Sequence, residues 1–492
     1  MCNYPAVDGL QPFIYFYRNR CVYIMSVTNT HFGAAGTEKL LKNCRSVFFI
    51  GIGGINMSSL ALITHRRGYK VGGSDRTLTS LTDKLAADGI EIFEGHSAEN
   101  LDGYDAVVYT VAITNDNPEY VRAKETGIPL ISRADYLGYI MTGYPVRVGV
   151  CGMHGKSTCT AMLSQIFIGC DRSPTVMCGA GVPVMDGAYY LGHGEDFIFE
   201  ACEYMDSFLD FYPNIAVILN IEPEHLDYFK NIDHIRSSFA KFAGLCGKDG
   251  LNVLNADDDE VMKVAGSSDV SKLTFGIKNK ADIMAVNIEN QNGFCSFDVI
   301  AGQRLLCHVR LSVCGEFNIY NALAALAVAH YRGIDCGAAA RELGKFRGAE
   351  RRMEHMGKFR GADVYSDYAH HPTEIAATLK GAKQMTHGRL FCVFQPHTYS
   401  RVYAFLDEMC RALSTADRTL MIDIYPARET DTKGMSSALI AERIGDSASY
   451  CENYGRALDI LKNELSDGDM LIVMGAGSIV SFFDVLVPLD NK

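Results

Sequence analysis

Residues 148–163, VGVCGMHGKSTCTAML, set a strand-like apolar run directly against CGMHGKST and then against a run that opens a helix. Few folds admit that succession. A strand, a glycine-rich loop ending in Lys-Ser and a helix form the P-loop arrangement of α/β proteins. Backbone N–H groups of such a loop point at phosphate oxygens, and the helix N-terminus adds the positive end of its dipole. Lys156 then reaches the β- and γ-phosphates, and the Ser157 hydroxyl ligates Mg²⁺. The strict spacing GxxxxGK[ST] is not met, because residue 150 is Val; what stands is GxxGKS, Gly152 to Ser157. A glycine-rich turn with an exposed lysine is the bland alternative.

The surroundings extend the α/β reading. SVFFIGIGGINMSSLALITHRRG (46–68) reads as buried strand, glycine-rich turn and helix, with further strand-like runs at 105–110 and 128–132. A second block starts at 146 and continues through DFIFEAC (196–202) and NIAVILNIEPEHLDYF (214–229). Short alternating runs between 270 and 313 predict antiparallel strands, and GEFNIYNALAALAVAHYRG (315–333) has helical Ala/Leu spacing. A third block begins near 347, with strands at 362–369, 389–396, 418–426 and 469–477. Strands alternating with helices predict parallel sheets with crossover connections.

Composition narrows the function. At 492 residues the chain has room for about three domains. A formal net charge of −12 argues against a nucleic-acid-binding protein. The 16 cysteines are scattered through apolar runs with no CxxC pair, which predicts a reducing cytoplasm and no zinc framework. No run of eighteen apolar residues occurs, so a membrane span is not expected. The first 44 residues do not follow the order of a signal peptide; they read as an extension, or Met25 is the start.

Several clusters carry candidate chemistry. GIGGIN (51–56) matches GxGxxG except for Asn56, and Asp75 lies about where a ribose-binding acid falls. A tight turn serving only helix packing competes with that reading. EACEYMDSF offers Glu200 and Glu203, and NIEPEHLDYF offers Glu222, Glu224, His225 and Asp227, as Mg²⁺ ligands near the P-loop. DYAHHPTE contributes His370 and His371, a pair that also suits helix capping. QPHTYSR contributes His397 and Arg401, and IYPARE contributes Arg428; arginine grips carboxylates with two parallel hydrogen bonds.

Ten motifs in order, GIGGINMSSLA, GMHGKST, EACEYMDSFL, NIEPEHLDYF, CGEFNIYNALAALA, FRGAERRME, DYAHHPTEI, FQPHTYSR, DIYPARE and MGAGSI, resemble the Mur ligase family from about Ser46 to the C-terminus. The resemblance implies an α/β chain with a Rossmann-like UDP-sugar-binding domain (45–145), a P-loop ATPase-like central domain (146–346) and a Rossmann-like amino-acid-binding domain (347–492), after an N-terminal extension (1–44). It implies that Gly152, Met153, His154, Gly155, Lys156, Ser157 and Thr158 hold ATP phosphates. Asn318 and Asn321 contact adenine, and Arg352 and Asp367 reach the nucleotide. Ser157, Glu203 and His225 hold Mg²⁺, with Glu200 the alternative to Glu203. Gly51, Gly53, Gly54, Ser74 and Asp75 face the UDP-sugar, while Tyr368, His397 and Arg401 orient the amino acid. His370 is the candidate base, beside Lys156, Glu203 and His225 as catalytic groups, and Lys241 is the position for a carbamylated lysine.

GIGGINMS, DYAHHPTE and FQPHTYSR together imply the branch that joins L-alanine to the lactyl carboxylate of UDP-N-acetylmuramate, with ATP and Mg²⁺, in cytoplasmic cell-wall precursor synthesis. A ligase that recycles a preformed peptide onto the same sugar, or a non-catalytic UDP-sugar or ATP sensor, stays open at this level, as does monomer against homodimer. The departures from the family pattern are Met153 and Ser157 where threonines are usual, Asn56 for glycine and Ser478 for aspartate.

Overall fold

The computed structural model describes residues 15–17, 20–22, 27–225, 228–267, 269–427, 429–431 and 434–486. Met25, Asp227 and Arg428, singled out above, lie outside them. The chain divides into two compact units, one of residues 1–145 with 206–212, the other of residues 146–205 with 213–492.

The first unit is built on five parallel strands in the order Glu91–Glu94, Lys70–Asp75, Ser46–Ile50, Ala106–Tyr109, Leu130–Ser132. The strand order reverses at Ser46–Ile50, so the loop after it, 51–54, opens at the switch point where such sheets bind ligands. Val47 to Ile50 are fully buried, the continuous apolar run that a sheet covered on both faces requires.

Residues from Val27 onward belong to this unit, which corrects their assignment to an extension. Val27 is 1% exposed and packs with Phe48, Ile50 and Tyr109. Helix Gly33–Leu41 packs along helix Arg133–Met141. Its start is held by the buried carboxylate of Asp135, which accepts from the backbone N–H of Phe32 and Gly33, both at 3.0 Å, and from the Thr30 hydroxyl. Residues 206–212 complete the same corner: Asp210 meets His31 Nδ1 at 2.8 Å, and the Tyr212 hydroxyl accepts from Ala34 N–H.

The second unit carries two sheets. In the ten-stranded sheet, strand Val146–Cys151 lies between Asp196–Glu200 and Ile215–Ile218, all parallel. The parallel region continues outward to Ile283–Gln291, from where Phe294–Ala301 and Arg304–Cys314 run antiparallel, as the alternating runs predicted. Helices Lys156–Gly169 and Phe317–Tyr331 pack together over it. Ala322, Ala324, Ala325, Ala327 and Ala329 are buried in the second helix, and their small side chains allow close approach. The six-stranded sheet runs Glu354–Phe359, Ala362–Asp367, Met470–Met474, Leu390–Phe394, Arg418–Met421, Ala448–Tyr450, with only the first strand antiparallel. Among the described residues no helix is long and apolar enough to cross a membrane.

Asp135→Ala leaves two backbone N–H groups and the Thr30 hydroxyl without their acceptor, a loss of about 2–3 kcal/mol. Urea unfolding is expected to show that loss, with limited proteolysis cutting first around residues 27–41. An unchanged midpoint and cleavage pattern would mean that Asp135 does not anchor this helix.

Candidate active site

The P-loop sits where the sequence puts it, between strand Val146–Cys151 and helix Lys156–Gly169. Gly155 has φ +83°, and a Cβ there would meet the Asn321 side-chain oxygen at 2.6 Å. Glycine is needed both for the left-handed backbone and for that close approach. Asn220, not anticipated from the sequence, pins the loop. Its side-chain oxygen accepts from His154 N–H at 2.8 Å, its amide donates to the His154 carbonyl at 3.0 Å, and its own carbonyl accepts from Met153 N–H. Met153 is thus held through its backbone, which needs no hydroxyl.

Lys156 folds back over the loop. Its ammonium donates to the carbonyls of Gly152 (2.6 Å) and Met153 (3.1 Å) and lies 3.0 Å from Glu203 Oε2. Glu203 is 1% exposed; burial opposes its charge, but Lys156 and His225 outweigh that and hold its carboxyl at about 2. His225 Nε2 lies 3.1 Å from Glu203 Oε1, on a residue with φ +52°. The Ser157 hydroxyl donates to Glu200 Oε2 at 3.2 Å instead, and Glu200 also accepts from Gly179 N–H. Both EACE carboxylates therefore stand at the loop, Glu200 on Ser157 and Glu203 on Lys156 and His225. Lys241 is exposed in the last turn of helix Ile232–Gly244.

A cavity of about 500 Å³ opens beside the loop. It brings together His154, Gly155, Thr158, Asn318, Asn321, Arg352 and Asp367, with an apolar lining that includes Phe317, Phe346 and Met353. Asn321 donates to Asn318, which donates to the Cys314 carbonyl, so both amides are fixed. Asp367 is committed too: its carboxylate accepts from Met353 N–H and Ala369 N–H, each at 2.8 Å, and burial pushes its pKa up to about 6. The Arg352 guanidinium lies over the Tyr368 ring at 5.1 Å and 3.8 Å from Glu374.

His397 and Arg401 are neighbours, with His397 Nδ1 3.0 Å from an Arg401 nitrogen. The other Arg401 terminal nitrogen donates to Glu224 Oε1 at 2.9 Å in a largely buried ion pair. His397 stacks on Tyr425, and the edge of His370 approaches it at 5.6 Å. Burial is the main force lowering both histidines to about 4. His370 Nδ1 donates to the Tyr368 carbonyl at 3.1 Å, which leaves Nε2 with its lone pair. His371 does cap helix Pro372–Met385, accepting from Thr373 N–H at 3.4 Å.

The loop at 51–54 departs from expectation. Its N–H groups bond inward: Gly51 and Ile52 to the Ser74 carbonyl, Gly53 to Asp75 Oδ2 at 2.9 Å, Gly54 to the Gly51 carbonyl. Asp75 acts here as a loop brace, not a free ribose acceptor. Ser74 is fully buried, its hydroxyl donating to Glu119 at 2.7 Å beside His96. The tight-turn reading describes this arrangement, and Ser74 does not face outward.

His154 reads as a phosphate-loop residue in sequence, yet its ring is the centre of an acidic cluster. Nδ1 lies 3.2 Å from Glu374 and Nε2 3.5 Å from Glu222. Burial disfavours the imidazolium, but the two carboxylates outweigh it and raise the pKa to about 10. The folded value exceeds the ordinary 6.5, so the stabilisation is complete below about pH 6.5 and is lost as pH rises through about 10. The melting-temperature gap between wild type and His154→Gln is therefore expected to be largest near pH 6 and to close towards pH 10; a gap independent of pH contradicts the charged pairing.

Comparison with known proteins places these features. Residues 46–145 match the Mur ligase family catalytic domain, 150–329 the Mur ligase middle domain and 351–477 the Mur ligase glutamate ligase domain. A UDP-N-acetylmuramate–L-alanine ligase of Clostridium novyi is 45% identical over 89% of this chain and 96% of its own. One from Clostridium tetani is 43% identical over 91% and 99%. The crystal structure of the UDP-N-acetylmuramate–alanine ligase of Thermotoga maritima superposes with a TM-score of 0.77 at 29% identity, covering 90% of this chain and 98% of that one. A murein peptide ligase of Psychrobacter arcticus shares the fold, with a TM-score of 0.69 at 24% identity over 91% and 99% of the chains. With three successive domains matched and relatives this similar along nearly their whole length, the chain belongs to the Mur ligase family.

Proposed function

We propose that this protein joins L-alanine to the lactyl carboxylate of UDP-N-acetylmuramate at the expense of ATP, giving UDP-N-acetylmuramoyl-L-alanine, ADP and phosphate for peptidoglycan synthesis in the cytoplasm. The observation that carries the reading is the likeness, at 43–45% identity over about nine-tenths of the chain, to ligases of that name. The three successive family matches suggest domains at 45–145, 146–346 and 347–492.

A carboxylate is a poor electrophile and needs activation. One of its oxygens attacks the γ-phosphorus, ADP leaves, and an acyl phosphate results. The amine of alanine then attacks the acyl carbon, and a tetrahedral intermediate expels phosphate. The protein's part in phosphoryl transfer is positioning and charge neutralisation. The P-loop from Gly152 to Thr158 cradles the phosphates, and Lys156 swings its charge from Glu203 towards the β- and γ-oxygens. The cavity beside it takes the adenosine, with Asn318, Asn321, Arg352 and Asp367 around it.

The donor set at the loop suits Mg²⁺, which prefers hard oxygen ligands. Ser157 offers a hydroxyl, Glu200 and Glu203 offer carboxylates, His225 one imidazole, and Glu203 Oε2 is buried without a well-formed hydrogen bond. Mg²⁺ bound there would offset the negative charge of the phosphates. Arg401, fixed by Glu224, and His397 hold the carboxylate of alanine, with Tyr368 behind them. His370 is neutral at pH 7, and its Nε2 accepts the proton of the attacking amine. The loop at 51–54 with Ser74 and Asp75 belongs to the UDP-sugar site, and binding there exchanges some of its internal hydrogen bonds for ligand ones.

Phosphate release with ATP and Mg²⁺ is expected to require both UDP-N-acetylmuramate and L-alanine. Release only with an L-Ala-γ-D-Glu peptide would make the protein a recycling ligase, and none with any acceptor would leave a sensor. Lys156→Ala is expected to lower turnover by at least about 10²–10³-fold, the scale of losing one charge-stabilising donor, with an unchanged circular dichroism spectrum. Near-normal activity in that variant would refute the P-loop assignment.

A further inference from the structure

His154, Glu224 and His371 come from three separate stretches: the P-loop, the segment after strand Ile215–Ile218, and the cap of helix Pro372–Met385. Each offers one ligand atom, and these atoms lie within 4.8 Å of one another. Glu224 and His371 are each 4% exposed. The rings of His154 and His371 face each other at 5.0 Å. Nε2 of His371 and both ring nitrogens of His154 are buried without a well-formed hydrogen bond; the carboxylates near His154 meet it only as ion pairs. A buried polar atom with no charged group to meet it, as at His371 Nε2, costs about 1–3 kcal/mol. The ligase reaction as derived above uses neither His371 nor the ring of His154.

We propose that His154, Glu224 and His371 bind a transition-metal ion of the Zn²⁺ type, at a site separate from the Mg²⁺ donors Ser157, Glu200, Glu203 and His225. Two imidazoles and a carboxylate are a three-ligand set that Zn²⁺ takes with water in the fourth position. Mg²⁺ prefers oxygen donors and gains little from imidazole. Charge points the same way. The carboxylates of Glu222, Glu224 and Glu374 face the guanidiniums of Arg352 and Arg401, so once the ion has displaced the proton of His154 these side chains carry one net negative charge to offset it.

Ligand bonds to zinc of about 2.0–2.1 Å place tetrahedral donors about 3.3 Å apart, so the widest pair closes by about 1.5 Å through side-chain rotation. The ion takes the place of the proton that His154 holds between Glu222 and Glu374. Coordination through His371 Nε2 makes Nδ1 an N–H group and gives up the 3.4 Å cap bond from Thr373. Glu224 uses its second oxygen and keeps Oε1 on Arg401. The bound ion would tie the P-loop to the start of helix Pro372–Met385. None of this depends on which substrate the enzyme takes.

The test is metal retention by the full chain. Protein equilibrated with Zn²⁺ is dialysed against excess Mg²⁺, and bound metal is counted by mass spectrometry. Wild type and Ser157→Ala are expected to keep one more equivalent of Zn²⁺ than His371→Asn. The asparagine keeps a helix cap but removes the imidazole, so the fold is retained. That comparison also separates the site from the 16 cysteines, which are unchanged in the variant. Co²⁺ loading is expected to give intense tetrahedral visible absorption in wild type that His371→Asn lacks. Equal retention by wild type and His371→Asn, or complete displacement by Mg²⁺, overturns the proposal.

Discussion

A lysine ammonium and a glutamate carboxylate, buried against each other beneath a glycine loop, set the terms for the rest of the second unit. Breaking such a pair by removing one partner costs about 3–5 kcal/mol, because it strands the other charge. Taking the two charges out of water costs desolvation as well, and the P-loop carbonyls and His225 offset it by satisfying what the pair leaves over. The loop must therefore be held in one shape, and Asn220 holds it. The strand Ile215–Ile218, which leads into Asn220, must lie beside Val146–Cys151, which fixes the centre of the ten-stranded sheet. The glycine loop thus rests on an internal carboxylate that balances its own lysine.

The same strand end serves twice. Asn220 braces the P-loop, Glu222 pairs with His154 and accepts from the Thr373 hydroxyl, and Glu224 holds Arg401. Glu222 and Glu224 thus tie the end of that strand to helices Pro372–Met385 and Tyr399–Ala404.

Fold and site were legible to different depths. Strands that end in glycine or polar residues, such as 46–50, 146–151 and 470–474, were readable because burial on both faces leaves an apolar run with a sharp boundary. Strands 175–182 and 187–191 escaped, since TVMCGAGV and GAYYL mix small and polar residues. The grouping of the glycine loop with Glu203 and His225 followed from motifs. The partners of Asn220, Glu222 and Glu374 did not: they lie 66, 151 or more residues away, and an acid or amide after a strand looks alike whether it braces a loop or binds a ligand. Ser74 and Asp75 show the opposite difficulty. The spacing after GIGG was right for a ribose-binding acid, but a short side chain beside a bare N–H bonds it internally.

The corner where Asp210 and Tyr212 meet helix Gly33–Leu41 has a consequence for the order in which the chain takes shape. The first unit is not continuous in sequence, because residues 206–212 belong to it while 146–205 do not. During synthesis from the N-terminus, domains tend to fold as units while the rest is still being made. Here the five-stranded sheet can form early, but His31 and Ala34 wait for their partners until the P-loop strand and its helix have left the ribosome. The nascent first unit therefore stays unfinished at one corner while the second begins to fold.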